Sequence, residues 1–137
     1  AAVAMTVEKG YARLRADWKS QRIVLTFEMP AQFVFANPKV RADAGKAAIV
    51  KGPVVYCLEQ VDNGENLGSM FVDVTKPIRE TKDNAQGKRM KEKDWGKGLY
   101  GTVPVGFEET ELTLVPYCYW GNRGAGEMAV WMKMLHA

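Results

Sequence analysis

Pro53-Val54-Val55-Tyr56-Cys57-Leu58-Glu59 is the stretch on which the fold turns. Val54 to Leu58 form one continuous apolar run, which suits a strand covered on both faces. Pro53 has no N–H to give to a ladder, so it belongs at the strand start or on an edge. Immediately upstream, Lys51-Gly52 joins this run to a second apolar run, Ala47–Val50. Two apolar runs across a short Gly-containing link read as paired strands.

Working outward, the same signals recur. Between Tyr11 and Trp18, residues Ala12, Leu14, Ala16 and Trp18 alternate with Tyr11, Arg13, Arg15 and Asp17. Between Ile23 and Met29, residues Ile23, Leu25, Phe27 and Met29 alternate with Val24, Thr26 and Glu28. Period two means one buried face and one wet face. The polar link Lys19-Ser20-Gln21-Arg22 predicts a hairpin from this pair, ended by Pro30. Further strands are expected at 33–36, 70–74 and 111–116. A closing strand is expected at 127–135, where Met128, Val130, Met132 and Met134 alternate with Ala129, Trp131, Lys133 and Leu135. Residues 61–69 read as a loop, and Gly121-Asn122-Arg123-Gly124-Ala125-Gly126 as a turn whose glycines permit positive φ. Some eight short strands without a βαβ rhythm predict an all-β fold. The expectation is a single domain over 1–137, an antiparallel, jelly-roll-like β-sandwich with one long charged loop. That loop is residues 76–98, with eight basic and four acidic residues and few apolar ones, read as a solvated face with one helical turn.

The bulk numbers narrow the function classes. At 137 residues, with 47% hydrophobic and 26% charged, the chain is an ordinary globular domain. A net charge of +3 is too balanced to imply nucleic acid. No apolar run reaches the ~18 residues of a membrane span. The start, AAVAMTVEKGY, has neither a basic nor an apolar signal region. Its lack of an initiator Met predicts an excised piece of a larger protein. Cys57 and Cys118 read as two buried free thiols, with a disulfide as the alternative in an exported protein. The compartment stays open between bacterial cytoplasm, periplasm and secretion.

No catalytic constellation emerges. Glu59 and Glu127 flank apolar runs, but glycoside hydrolysis needs two carboxylates at a fixed separation. Strand-end carboxylates satisfied by backbone or by an arginine are the favoured reading. A zinc site needs three or four convergent ligands. Cys57, Glu59 and Cys118 could meet on paired strands, with no local spacing to support them. His136 sits at the chain end, a poor place for a rigid base. GNRGAG matches no phosphate-binding loop. The aromatics suggest contacts instead. Trp95 and Tyr100 are candidates for stacking on sugar faces. Tyr117, Tyr119 and Trp120, beside Asn122 and Arg123, are candidates for an interface, with Arg123 expected to clamp a neighbouring carboxylate or carbonyl.

Three segments, GYARLRADW with the strand after it, ANPKVRADAGKAAIVKGPVVYCLEQVDN, and LTLVPYCYWGNRGAGEMAVWM, together resemble the C-terminal region of glycoside hydrolase family 127, the β-L-arabinofuranosidase family. The resemblance is loose over 71–110. It departs mildly at Cys118 and Ala125, where an aromatic residue and proline are more usual. It implies a modular enzyme, with an upstream (α/α)6 catalytic barrel followed by β-sandwich domains. It also implies that the cysteine nucleophile and its zinc site lie in that barrel, so no catalytic residue carries over and no cofactor is expected in this chain. The expected role is an accessory domain that packs on the catalytic domain, with homodimerisation as a further mode. A carbohydrate-binding module holding polysaccharide is the alternative. An autonomous hydrolase and a basic nucleic-acid surface at 76–97 rank below both.

Overall fold

The structure, a computed structural model, describes residues 2–91 and 98–135. It is nearly all β. The strands are β1 (Met5–Glu8), β2 (Tyr11–Leu14), β3 (Ala31–Phe35), β4 (Lys46–Lys51), β5 (Val54–Glu59), β6 (Met70–Val72), β7 (Asn84–Met90), β8 (Phe107–Pro116), β9 (Met128–Ala129) and β10 (Met132–Met134). One helical turn, α1 (Gln60–Asn63), follows β5. Strands β1 and β2 pair with each other, and β3 to β10 form an eight-stranded sheet in the order β3-β4-β10-β6-β7-β8-β5-β9. All pairings are antiparallel except β10 with β6.

The hairpin quoted first makes this sheet fold over on itself. Strand β4 meets β5 at Val50–Val55 and Lys51–Val54, across Gly52-Pro53. Beyond Val55, β5 leaves β4 and pairs with β8 on one side and β9 on the other. The two halves therefore face each other around one core, as expected of a sandwich. Ala47, Ile49, Leu58, Met70, Val72, Ala85, Leu112, Leu114 and Met132 form that core. Leu112 and Leu114 point inward at period two, as the sequence predicts. Coverage on both faces holds for Cys57, Leu58 and Glu59, whereas Val54 and Val55 at the turn are exposed.

Four expectations need correction. Residues 76–98 are not one exposed loop, because β7 lies inside them and pairs with β8 over seven residues and with β6 on its other side. Its charges are matched across the ladder. Lys88 stands opposite Glu109 with an ion pair of 3.5 Å, and Arg89 stands opposite Glu108. The N-terminal hairpin is β1–β2 and not 11–18 with 23–29. Lys9 (φ 52°) and Gly10 (φ 81°) supply the two positive-φ residues of a tight hairpin turn, which Lys19-Ser20-Gln21-Arg22 does not. Residues 23–29 form no strand, since their period-two pattern finds no ladder partner among the described residues. The closing strand is broken at Val130-Trp131 into β9 and β10, which serve opposite halves of the sheet. Finally, Cys118 is exposed, because β8 ends at Pro116 and the chain turns in a 3-10 helix at Tyr117–Tyr119.

Candidate functional site

The best-organised cluster of charged side chains lies where β5 runs into α1. Strand β5 delivers Cys57 and Glu59, α1 delivers Asp62 and Asn63, and the loop after β8 returns Arg123 over them. Arg123 grips Asp62 with both arms of its guanidinium, Nη1 to Oδ1 at 2.8 Å and Nη2 to Oδ2 at 2.6 Å. Its Nη2 also donates to Glu59 Oε1 at 3.4 Å. Glu59, only 4% exposed, accepts a second bond from the Gly121 N–H on Oε2. The planar fork of arginine suits this two-carboxylate cradle. The arginine clamp expected from the sequence is thus present, and Glu59 is the satisfied strand-end carboxylate that was favoured.

A second latch holds the other end of the loop. Gln60 N–H donates to Glu127 O, and Gln60 Oε1 accepts from Glu127 N–H, both at 2.9 Å. Glu127 Oε2 accepts from Asn66 N–H at 2.6 Å. Asn63 ties α1 to β8. Its amide donates to Glu59 O at 3.0 Å and to Thr113 O at 2.9 Å, and its Oδ1 accepts from Thr113 N–H at 2.8 Å. No sequence pattern singled out Asn63, because its partner on β8, Thr113, lies fifty residues away.

The electrostatics are those of a structural site. The hydrogen bonds that Arg123 donates to Asp62 hold its guanidinium protonated well above its ordinary range. Burial, helped by the charge of Glu59, pushes the Cys57 thiol up to about 11, although Arg123 opposes the rise. A buried, protonated thiol is a poor nucleophile and a poor metal ligand. Among the described residues, no three His, Cys, Asp or Glu side chains gather in a way that could hold a metal ion. Glu59 is already engaged by the Arg123 guanidinium and the Gly121 N–H.

What the latched loop offers outward is aromatic. Tyr117, Tyr119 and Trp120 are all exposed, Tyr119 by 61%, with the Tyr117 and Trp120 rings 6.4 Å apart. Asn122 lies exposed beside them. Of the five residues expected at an interface, Arg123 is the one turned toward the domain's own carboxylates. Tyr100 is 95% exposed and lies before β8, whereas Tyr117 follows it. Trp95, Lys93, Lys97 and His136 lie outside the described residues.

Known proteins resemble this chain. A family profile described as the glycoside hydrolase family 127 C-terminal domain matches residues 31–133. The non-reducing end β-L-arabinofuranosidase of Bifidobacterium longum subsp. longum is 36% identical over 126 residues, covering 81% of this chain and 19% of that protein. A crystal structure of a GH127 β-L-arabinofuranosidase from Geobacillus stearothermophilus T6 superposes with a TM-score of 0.73 at 35% identity, over 78% of this chain and 18% of that one. A structure described as a GH127 β-arabinofuranosidase superposes at 0.62 and 33% identity, over 80% and 18%. The chain therefore spans about a fifth of the length of the relatives it matches.

Proposed function

We propose, from the premise that the chain belongs to the glycoside hydrolase family 127 C-terminal domains, that it is a non-catalytic accessory domain packing on the upstream catalytic part of a β-L-arabinofuranosidase-like enzyme. The observation that carries this reading is the latched loop. Strand β8 holds its start, and Gly121, Arg123 and Glu127 hold its second half, so Tyr117, Tyr119 and Trp120 stand exposed on a loop anchored on both sides. Pre-ordered aromatics lose little freedom on contact and make strong anchors. The carboxylates that could have done chemistry are occupied, Glu59 by Arg123 and Glu127 by Asn66. Hydrolysis, and any zinc, belongs on this reading to the catalytic domain.

Titrating the chain against the separately produced upstream part of its enzyme tests this. Calorimetry is expected to show saturable association, weakened about tenfold or more by Tyr119→Ala or Trp120→Ala. Absence of association, or indifference to both substitutions, would defeat the reading.

The carbohydrate-binding alternative has its own support, away from the loop. Tyr100 is almost fully exposed. An open cleft of about 290 Å³ on the β7–β8 face is lined by Arg79, Gln86, Glu109, Thr110 and Glu111, all able to hydrogen-bond a polyhydroxylated ligand. Titration with arabinose-containing polysaccharides decides it. Saturable binding lost in Tyr100→Ala and Trp95→Ala variants would favour a binding module. A sedimentation series over concentration tests homodimerisation separately.

A further inference from the structure

We propose that the domain binds a small monocarboxylate with a short branched apolar body, held in a cavity between the two halves of the sheet with Lys46 and Lys133 at its mouth. The cavity shares no lining residue with the aromatic loop or with the cleft on the β7–β8 face, so the proposal goes beyond both readings above.

The cavity follows from the break in the closing strand. At Val130-Trp131 the chain crosses from β9, which pairs with β5, to β10, which pairs with β4. Beside that crossing a space of about 90 Å³ remains, lined also by the 3-10 turn Leu67–Ser69. Its inner wall is Leu58, Leu67, Met70 and Met132, all buried. Trp131, half-buried, adds an indole, and Gly68 has no side chain to fill the space. One water needs about 10–15 Å³, and an apolar cavity that takes benzene measures about 150 Å³. The space therefore suits a body of about four or five carbons.

The charge at the mouth selects the head of the ligand. Lys46 and Lys133 stand directly opposite each other across the β4–β10 ladder. Like charges so placed repel. Among the described residues neither lysine has a carboxylate within ion-pair distance. Lys133 Nζ lies 5.6 Å from the centre of the Phe71 ring, a weak electrostatic partner that carries no counter-charge. Elsewhere the sheet matches its cations, Lys88 with Glu109 and Arg123 with two carboxylates. A carboxylate set between the two ammonium groups replaces their repulsion with charge-assisted hydrogen bonds. Its apolar body then leaves water for the wall behind. A sugar acid fits less well, because the lining side chains offer its hydroxyls no oxygen acceptor, and buried hydroxyls without partners are costly.

NMR of methyl-labelled methionines in this chain, titrated with 3-methylbutanoate, tests the proposal. The methyl signals of Met70 and Met132 should shift saturably, while those of Met5, Met29 and Met90, which do not line the cavity, stay in place. Acetate should bind about tenfold or more weakly for want of the apolar body. The neutral 3-methylbutanamide should bind about tenfold or more weakly for want of the charge. Lys46→Met and Lys133→Met keep the apolar stem, so each should weaken the acid and leave the amide unchanged. Both variants should melt no lower than the parent, because each removes one of two opposed like charges. Equal binding of acid and amide, or indifference to both substitutions, would overturn the proposal and leave the lysines as cover for an apolar void. Equal binding of acetate would reduce the site to an adventitious anion at two lysines. Tighter binding of galacturonate would replace the apolar acid with a sugar acid, and silence at Met70 and Met132 with every acid would remove the site altogether.

Discussion

Replacing Gly87 with alanine probes the strand that the charge pattern conceals. Gly87 is buried in the middle of β7, opposite Val72 of β6 and Thr110 of β8. A Cβ there would stand 2.1 Å from the carbonyl oxygen of Phe71 and 3.2 Å from Leu112 Cδ1, against the ~3.5 Å at which heavy atoms settle. Leu112 can rotate by a few tenths of an ångström. The Phe71 carbonyl belongs to the β6 backbone, so β6 and β7 must part by more than ~1 Å. Overpacking absorbed by side chains costs about 1–3 kcal/mol, and each strained ladder bond adds about 0.5–1.5 kcal/mol. The expected loss is about 3–5 kcal/mol, the sum of one overpacking and one or two weakened bonds. A 137-residue domain has about 7–20 kcal/mol in total. The variant should therefore fold at 25 °C but melt about 10–20 °C lower. Thermal and urea unfolding followed by circular dichroism measures this. Gly68→Ala is the control, since a Cβ there meets nothing within 4 Å, and its effect should stay within about 0.5 kcal/mol. A Gly87→Ala variant within about 1 kcal/mol of the parent would show that β6 and β7 are not neighbours in this register.

Removing the side chain of Arg123 (Arg123→Ala) should speed hydrogen exchange across 117–127, because Glu59 is left buried with Gly121 as its remaining partner; Arg123→Lys should not restore protection, since an ammonium cannot hold Asp62 with two parallel bonds. Asn63→Ala removes two bonds between α1 and β8 and one to the end of β5, and should cost about 2–3 kcal/mol in urea unfolding. Burial keeps the proton on Cys57 up to about pH 11 when folded, against 9.0 for an ordinary solvated thiol. The unfolded chain therefore loses the proton first as pH rises, and stability should fall between pH 9 and 11, a slope absent in Cys57→Ala when urea midpoints are compared. Thiol titration with a chromogenic disulfide should count one reactive cysteine in the folded chain, Cys118, and two after unfolding.

Much of the fold was legible because much of it is local. The alternation of Leu112 and Leu114 with Thr113 and Val115 identifies half of β8 directly, and the run before Glu59 identifies β5. Strand β7 was not legible. Asn84, Gln86, Lys88 and Arg89 give a solvated pattern, and only the acidic residues of β8 opposite them make a paired strand favourable. Residues 23–29 show the reverse error, a strand pattern whose partner is missing from the described residues. The candidate site divides in the same way. Its aromatic loop and the arginine clamp could be read from GNRGAG and its neighbours, whereas the identity of the clamped residues, Asp62 and Glu59, could not.

Local patterns in the sequence were enough to show that the chain is all-β, that its core runs through Ile49, Leu58 and Leu112, that Glu59 needs a partner, and that it resembles a glycoside hydrolase C-terminal region. These follow from periodicity, turn residues and burial preference, each of which acts over a few neighbouring residues. The tertiary structure alone decided which strands pair, that a charged segment becomes an interior strand, that Arg123 reaches back over sixty residues to Asp62, and that residues 5–29 stand uncovered. Those outcomes depend on what lies opposite a residue in space. Ladder partners, cross-strand charges and buried ion pairs join positions far apart in the chain, and no local pattern encodes a distant neighbour.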